Sequence, residues 1–264
     1  MGMTTTDRST SIAITANASL PANQSSPDVG AWLAHNVTKL HSLTSEARLS
    51  QFVLEELSGV LRFRAALAVV GSLRGGQIAI MDVVNCGYPD ELVSRVRLGI
   101  DLSSRPTARR WLAERKPIFI PALSIAPAAS DEAADVALYK LGCRAVHGAF
   151  DISGTSATYF NFCGLPDDAE SWIGTQLDLL VPHLHCVLAR IWQLKYRHQA
   201  GRLSGRERSL IQLVSSGLTN PEIAREWNRS TATVRNTLHR LMAKLGVRSR
   251  VELVTTARNL ELLL

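Results

Sequence analysis

Residues 231–245 read as one helix carrying two chemistries on opposite faces. At about 100° per residue, Val234, Leu238, Leu241 and Leu245 fall on one apolar stripe. The opposite side holds Ala232, Asn236, His239 and Ala243, flanked by Arg235 and Arg240. Small residues alternate there with long hydrogen-bonding ones. Such a face suits a major groove about 12 Å wide: alanines permit close approach, and Arg or Asn pair bidentately with purine edges. The competing reading is the solvated face of an ordinary helical bundle, and the helix alone does not choose between them.

Other constellations offer less chemistry. His183-x-His185-Cys186 is the one metal-like local cluster, but residues two apart on a helix point to different sides, so both imidazoles cannot reach one ion. Asp167, Asp168 and Glu170 read as the charge cluster of a helix N-terminus. There is no Gly-x-Ser-x-Gly elbow, P-loop or dinucleotide fingerprint, and Gly71-x-x-x-Gly75-Gly76 reads as a turn. The sequence therefore predicts no enzyme, no cofactor and no metal. Cys86, Cys143, Cys163 and Cys186 are far apart and read as reduced, mostly buried thiols.

Charge places the groove-reading face in context. The chain has 264 residues and a formal net charge of +6. Residues 1–199 hold 18 basic and 18 acidic side chains, whereas residues 200–264 hold 11 basic against 5 acidic. The whole excess sits in the last quarter, which suggests a neutral control domain joined to a polyanion-binding one. No apolar run is long enough for a signal peptide or a membrane span, so a cytoplasmic protein away from membranes is expected.

The basic quarter carries dense helix punctuation. Ser204-x-x-Glu207, Thr219-x-x-Glu222 and Ser249-x-x-Glu252 fit capping boxes, and Ser230 is a fourth candidate cap. Gly217 and Gly246 stand where helices should end. Helices are predicted over about 205–216, 220–228, 231–245 and 250–260, with a tight second connection as in a helix-turn-helix.

Leu203-Ser204-Gly205-Arg206-Glu207, Gly217-Leu218-Thr219-Asn220-Pro221-Glu222-Ile223-Ala224, Thr233-Val234-Arg235-Asn236 and Lys244-Leu245-Gly246-Val247-Arg248-Ser249-Arg250 closely resemble the LuxR-type helix-turn-helix. Trp227 and Arg229 depart from it, both standing where aliphatic residues are usual, and Thr237 stands where many members have His. The resemblance implies base contacts from Arg235, Asn236 and His239. It implies phosphate contacts from Thr219, Thr231, Thr233, Arg240 and Lys244. It also implies a homodimer on near-palindromic double-stranded DNA, with RNA polymerase and an effector, small molecule or protein, as further partners.

Upstream, residues 1–28 read as a disordered polar leader, 29–195 as a regulatory domain and 196–202 as a linker to the helix-turn-helix domain, 203–264. Helical spacing marks residues 32–40 and 47–61, and apolar runs 65–70 and 78–84 read as a hairpin. Helices follow at 90–98, 107–115 and 131–141, with strands at 117–121, 145–152 and 157–163. A long helix then carries Leu177, Leu180, Val181, Leu184, Leu188 and Ile191 on one stripe, for packing on the sheet or for dimerisation. The fold class is α+β: an α/β/α sensor domain around a mainly antiparallel sheet, plus an all-α four-helix domain.

Tyr88-Pro89, Arg105-Pro106 and Lys116-Pro117-Ile118 have the spacing of the autoinducer-binding domain of LuxR quorum-sensing proteins, which this region resembles. The residues that hold the acyl-homoserine lactone there correspond to Leu92, Val96, Arg105 and Ile120, so the ligand anchors are missing. Leu141-Gly142, Val146-His147-Gly148 and Thr158-Tyr159-Phe160-Asn161-Phe162 resemble the EpsA-type LuxR regulators of exopolysaccharide synthesis. The function expected is a sequence-specific regulator without conventional lactone recognition. The alternative is an interaction adaptor or anti-activator whose helical domain does not bind DNA productively.

Overall fold

The computed structural model describes residues 28–74, 77–98, 101–122, 130–152, 154, 156–247 and 249–259. The polar leader before Asp28, the Gly75-Gly76 turn, Ser153 and Thr155 of the last hairpin, Arg248, and the fourth C-terminal helix beyond Asn259 lie outside the described residues.

Five strands form one antiparallel sheet: β1 (Ala65–Arg74), β2 (Gln77–Cys86), β3 (Ile118–Ile120), β4 (Cys143–Phe150) and β5 (Ser156–Leu165). Their order is β2-β1-β5-β4-β3. The first hairpin is longer than its apolar runs, because the ladder shifts register between Val70 and Gly71 and then continues to Arg74 opposite Gln77.

Side-chain alternation gives the sheet two faces, and each is buried under helices. One face carries Ala66, Ala68, Val70, Ala145, Phe160 and Phe162. It is covered by α1 (Val29–His41), α2 (Glu46–Phe52), α3 (Ser58–Leu61) and α7 (Ile173–Gly201). The segment expected as one helix over 47–61 is continuous, but it widens to an i→i+5 turn over Val53–Leu57. The other face carries Leu67, Val69, Val146 and Ala157. It packs beneath α4 (Asp90–Leu98), α5 (Pro106–Glu114) and α6 (Asp131–Tyr139). This is the α/β/α arrangement.

Leu177, Leu180, Val181, Leu184, Leu188 and Ile191 are all 3% exposed or less, so the α7 stripe packs inward on the sheet. Polar clamps fix α7 against α1. Gln176 Oε1 accepts the Val29 N–H at 3.0 Å, and Arg190 donates to the carbonyls of His41 and Leu43. The helix does not stop at 195. It runs on through Gly201, across the stretch expected to be a linker. Residues 196–200 contain neither Gly nor Pro, and Gly201 is the first of either after Pro182, which the same helix already accommodates.

Near the short β3, α5 lies so close to the sheet that one position of β4 has no room for a side chain. A Cβ on Gly148 would stand 2.1 Å from the Thr158 carbonyl oxygen and 2.5 Å from Trp111 Cζ2. The first neighbour is backbone and cannot move aside. Gly148→Ala is expected to cost about 1–3 kcal/mol through overpacking, read as a lowered urea midpoint at constant m-value.

Burial disfavours the charged form of three histidines of this domain. The pKa values of His41, His147 and His185 are lowered mainly by desolvation, with Asp178 opposing at His147 and Asp151 at His185. A depressed folded-state pKa contributes stability that is complete above the unfolded value, near 6.5, and lost as pH falls below it. Melting temperature should therefore fall between about pH 6.5 and 5, and calorimetry across that range should show proton uptake on unfolding.

The C-terminal unit has its own core. Helices α8 (Gly205–Ser215), α9 (Asn220–Glu226), α10 (Thr231–Lys244) and α11 (Arg250–Asn259) bury Leu210, Ile211, Val214, Ile223, Val234, Leu241, Leu245 and Leu253. Ser204 and Thr219 form the expected capping boxes with Glu207 and Glu222. Gly217 and Gly246 adopt left-handed φ of 87° and 67°, which closes the helices before them.

Candidate functional site

The α10 helix starts at Ser230, whose hydroxyl accepts the Thr233 N–H at 3.1 Å. Its stripe of Val234, Leu238, Leu241 and Leu245 is buried, and that fixes the rotation of the helix. Arg235, Asn236, His239 and Arg240 consequently all face solvent, together with Ala232 and Ala243. Thr233, Asn236, His239 and Arg240 line one shallow concavity. Of the face expected from sequence geometry, Asn236, His239 and Arg240 line this concavity, and Arg235 is exposed outside it.

The other residues expected at this site are differently employed. Thr219 Oγ1 lies 2.6 Å from Glu222 Oε2 as part of its cap, and Thr233 Oγ1 lies 2.8 Å from Ser230 Oγ. Thr231 is half-buried at the start of α10. Lys244 is tied down: its Nζ donates to Glu207 Oε2 and to the Arg202 carbonyl, both at 2.9 Å. Burial opposes ionisation of Glu207, but Lys244 and Ser204 outweigh it and hold the carboxylate below its usual pKa. This link joins the end of α10 to the start of α8. Sequence reasoning missed it, because residues 37 positions apart leave no spacing signal.

Two departures from the LuxR pattern have local explanations. Trp227 is half-buried on the domain core, and the Arg206 guanidinium lies 4.9 Å above its ring. Arg229 is exposed, following Asn228 in the left-handed region at φ 49° in the turn before α10. Arg250 clamps the other connection, between α8 and α9, by donating to Leu218 O and to Asn220 Oδ1.

The second place where chemistry gathers lies between the sheet and α4, α5 and α6. A cavity of about 110 Å³ opens there, walled by Leu67, Val69, Leu92, Val96, Trp111 and Tyr159. At its polar end Arg144 Nη1 meets Glu132 Oε1 at 2.8 Å, with side chains 5% and 7% exposed. Arg105 Nη1 lies 2.6 Å from Asp135 Oδ2, and Arg95 pairs with the same carboxylate from the rim. Burial works against a charged Glu132, yet the Thr107 N–H and the Arg144 guanidinium outweigh it and lower its pKa. Leu92, Val96 and Arg105, three of the four positions aligned with lactone anchors, line this cavity. Ile120 is buried instead with Trp111, Ile118 and Val146. The His183 and His185 rings diverge as expected: His183 meets His41 at 3.1 Å, and His185 meets Thr158 Oγ1 at 2.8 Å. Among the described residues no group of three metal-ligating side chains converges, and no helix is long and apolar enough to cross a membrane.

Residues 202–257 match the family described as bacterial regulatory proteins, luxR family. The C-terminal unit is a LuxR-family helix-turn-helix domain. Over 60 residues, 23% of this chain, the sequence is 35% identical to the transcriptional regulatory protein DesR of Bacillus subtilis. Over 57 residues, 22% of this chain, it is 46% identical to an HTH-type regulator of Mycobacterium bovis. The matched LuxR-family segment spans 30% and 6% of those two proteins. Among solved structures, Escherichia coli SdiA is 14% identical, covering 90% of this chain and 100% of that one, with a TM-score of 0.46. CepR2 of Burkholderia cenocepacia, titled an N-acylhomoserine lactone dependent LuxR family transcription factor, is 16% identical. It covers 62% of this chain and 99% of that one, with a TM-score of 0.49.

Proposed function

We propose that the chain is a sequence-specific transcriptional regulator that inserts α10 into the major groove as one half of a homodimer. The observation that carries this reading is the solvent-facing row of Arg235, Asn236 and His239, opposite a fully buried stripe, within a LuxR-family domain. Arg235 and Asn236 read base edges, with His239 beside them. Arg240, Thr231, Thr233 and Thr219 contact phosphates, and Lys244 joins them only where it gives up Glu207. Two such units bind half-sites about one helical turn apart.

The N-terminal domain supplies control without conventional lactone recognition. Supporting this, one of the positions aligned with the lactone anchors is Arg105, and its guanidinium is already paired with Asp135. Gel shifts of the full chain against genomic fragments across a salt series test the DNA reading. Affinity should fall steeply with salt, and Arg240→Ala should flatten the logarithmic slope by about one. A slope near zero, with no fragment retained at low salt, would favour the adaptor reading instead.

A further inference from the structure

The cavity beside Trp111 holds unfinished hydrogen bonding at its polar end. Arg144 Nε and the Tyr88 hydroxyl are on side chains only 4% exposed, and neither makes a hydrogen bond of proper geometry. Tyr88 has the Cys163 thiol beside it, a weak partner at best. Asn161 Oδ1, on the sheet floor between Leu67 and Val146, is also buried and unpartnered. All three residues line the one cavity. Buried polar atoms normally find partners, and each one left without is a cost to the fold. Three such atoms on residues lining one apolar space, beside an Asp135 Oδ2 that also lacks a well-formed hydrogen bond but meets Arg105, offer a ligand ready hydrogen-bond partners. They offer one donor (Arg144 Nε), one acceptor (Asn161 Oδ1) and one group that does either (Tyr88).

Charge and size narrow the class. The charges that line the cavity already cancel, since Arg144 faces Glu132 and Arg105 faces Asp135, while Arg95 reaches Asp135 from the half-exposed rim outside that lining. An added anion would be desolvated next to two carboxylates, and an added cation next to two guanidiniums, so burial disfavours both. At about 110 Å³ the space is smaller than the roughly 150 Å³ of a cavity known to take up benzene. It therefore has room for at most a single compact ring and none for an acyl chain bearing a lactone. Its walls, with Trp111 and Tyr159 among aliphatic side chains, suit an aromatic ring.

Building on the regulator reading, we propose that this cavity is an effector site for a compact, uncharged aromatic molecule whose single polar group both donates and accepts hydrogen bonds, such as a phenol or a primary carboxamide. The ring lies against Trp111 and Tyr159, and the polar group bridges Asn161 Oδ1 with Arg144 Nε or Tyr88.

The test uses the full chain and four probes: phenol, benzamide, benzoate and an octanoyl homoserine lactone, followed by calorimetric titration and thermal melts. Phenol or benzamide should bind saturably and raise the melting temperature, as any ligand of the native state does. Benzoate should bind at least tenfold more weakly, and the lactone likewise. Asn161→Leu should weaken the neutral probes at least tenfold. Ala108→Phe, which fills the cavity from α5, should abolish their binding and keep the variant useful if Asn161→Leu fails to fold. Tighter binding of benzoate or lactone, no saturable binding of either neutral probe, or binding indifferent to both variants would overturn the proposal. Gel shifts without any probe score the DNA reading separately, so either can fail while the other stands.

Discussion

Glu132→Leu alone is expected to destabilise the N-terminal domain by about 3–5 kcal/mol, and Glu132→Leu with Arg144→Met to recover most of that loss. The reasoning starts from burial. Both side chains of the pair are under a tenth exposed, 2.8 Å apart, at the polar end of the cavity. Removing the carboxylate leaves a guanidinium in an apolar wall with no counter-charge. It also strips the Thr107 N–H at the start of α5 of its acceptor, 2.9 Å away. Replacing both members removes the desolvation penalty along with the attraction, so the double variant need not be weaker than the native chain. Urea unfolding of the two single variants and the double one closes the cycle. A coupling energy near zero would mean that the pair is solvated in solution, contrary to its burial here.

Arg235→Ala is the second large effect. Its loss should cost about 1–3 kcal/mol on a specific site, roughly a five- to hundredfold weaker complex, while binding to random duplex falls far less. The side chain is exposed, so folding should be little affected; unchanged thermal unfolding serves as the control. Competition titrations with specific and random duplex separate base reading from charge. Equal losses on both would move Arg235 from the base-reading group to the phosphate group.

The C-terminal face was the most legible part of the chain. Its signals are local: a stripe at helical spacing, hydroxyl-x-x-Glu caps, and glycines where helices end. The sheet was legible to within a few residues, because alternation and turn residues also act at short range. What could not be read is what arises between distant segments. The Lys244–Glu207 link, the Arg144–Glu132 pair and the Gly148 contact with Trp111 each join residues whose separation carries no period. The cavity is of the same kind. Arg105 reads in sequence as a lost ligand anchor, and only packing shows that Asp135 has taken its charge and that Asn161, Tyr88 and Arg144 close around the space left.

The α7 helix adds a geometric consequence. A helix that continues through Gly201 is a shaft, and a shaft has a phase as well as a length. Each residue between the sheet and Gly201 sets about 100° of rotation and 1.5 Å of advance. Whatever follows Gly201 thus inherits an angle fixed by residue count, and only whole turns of added or removed helix would leave that angle nearly as it was.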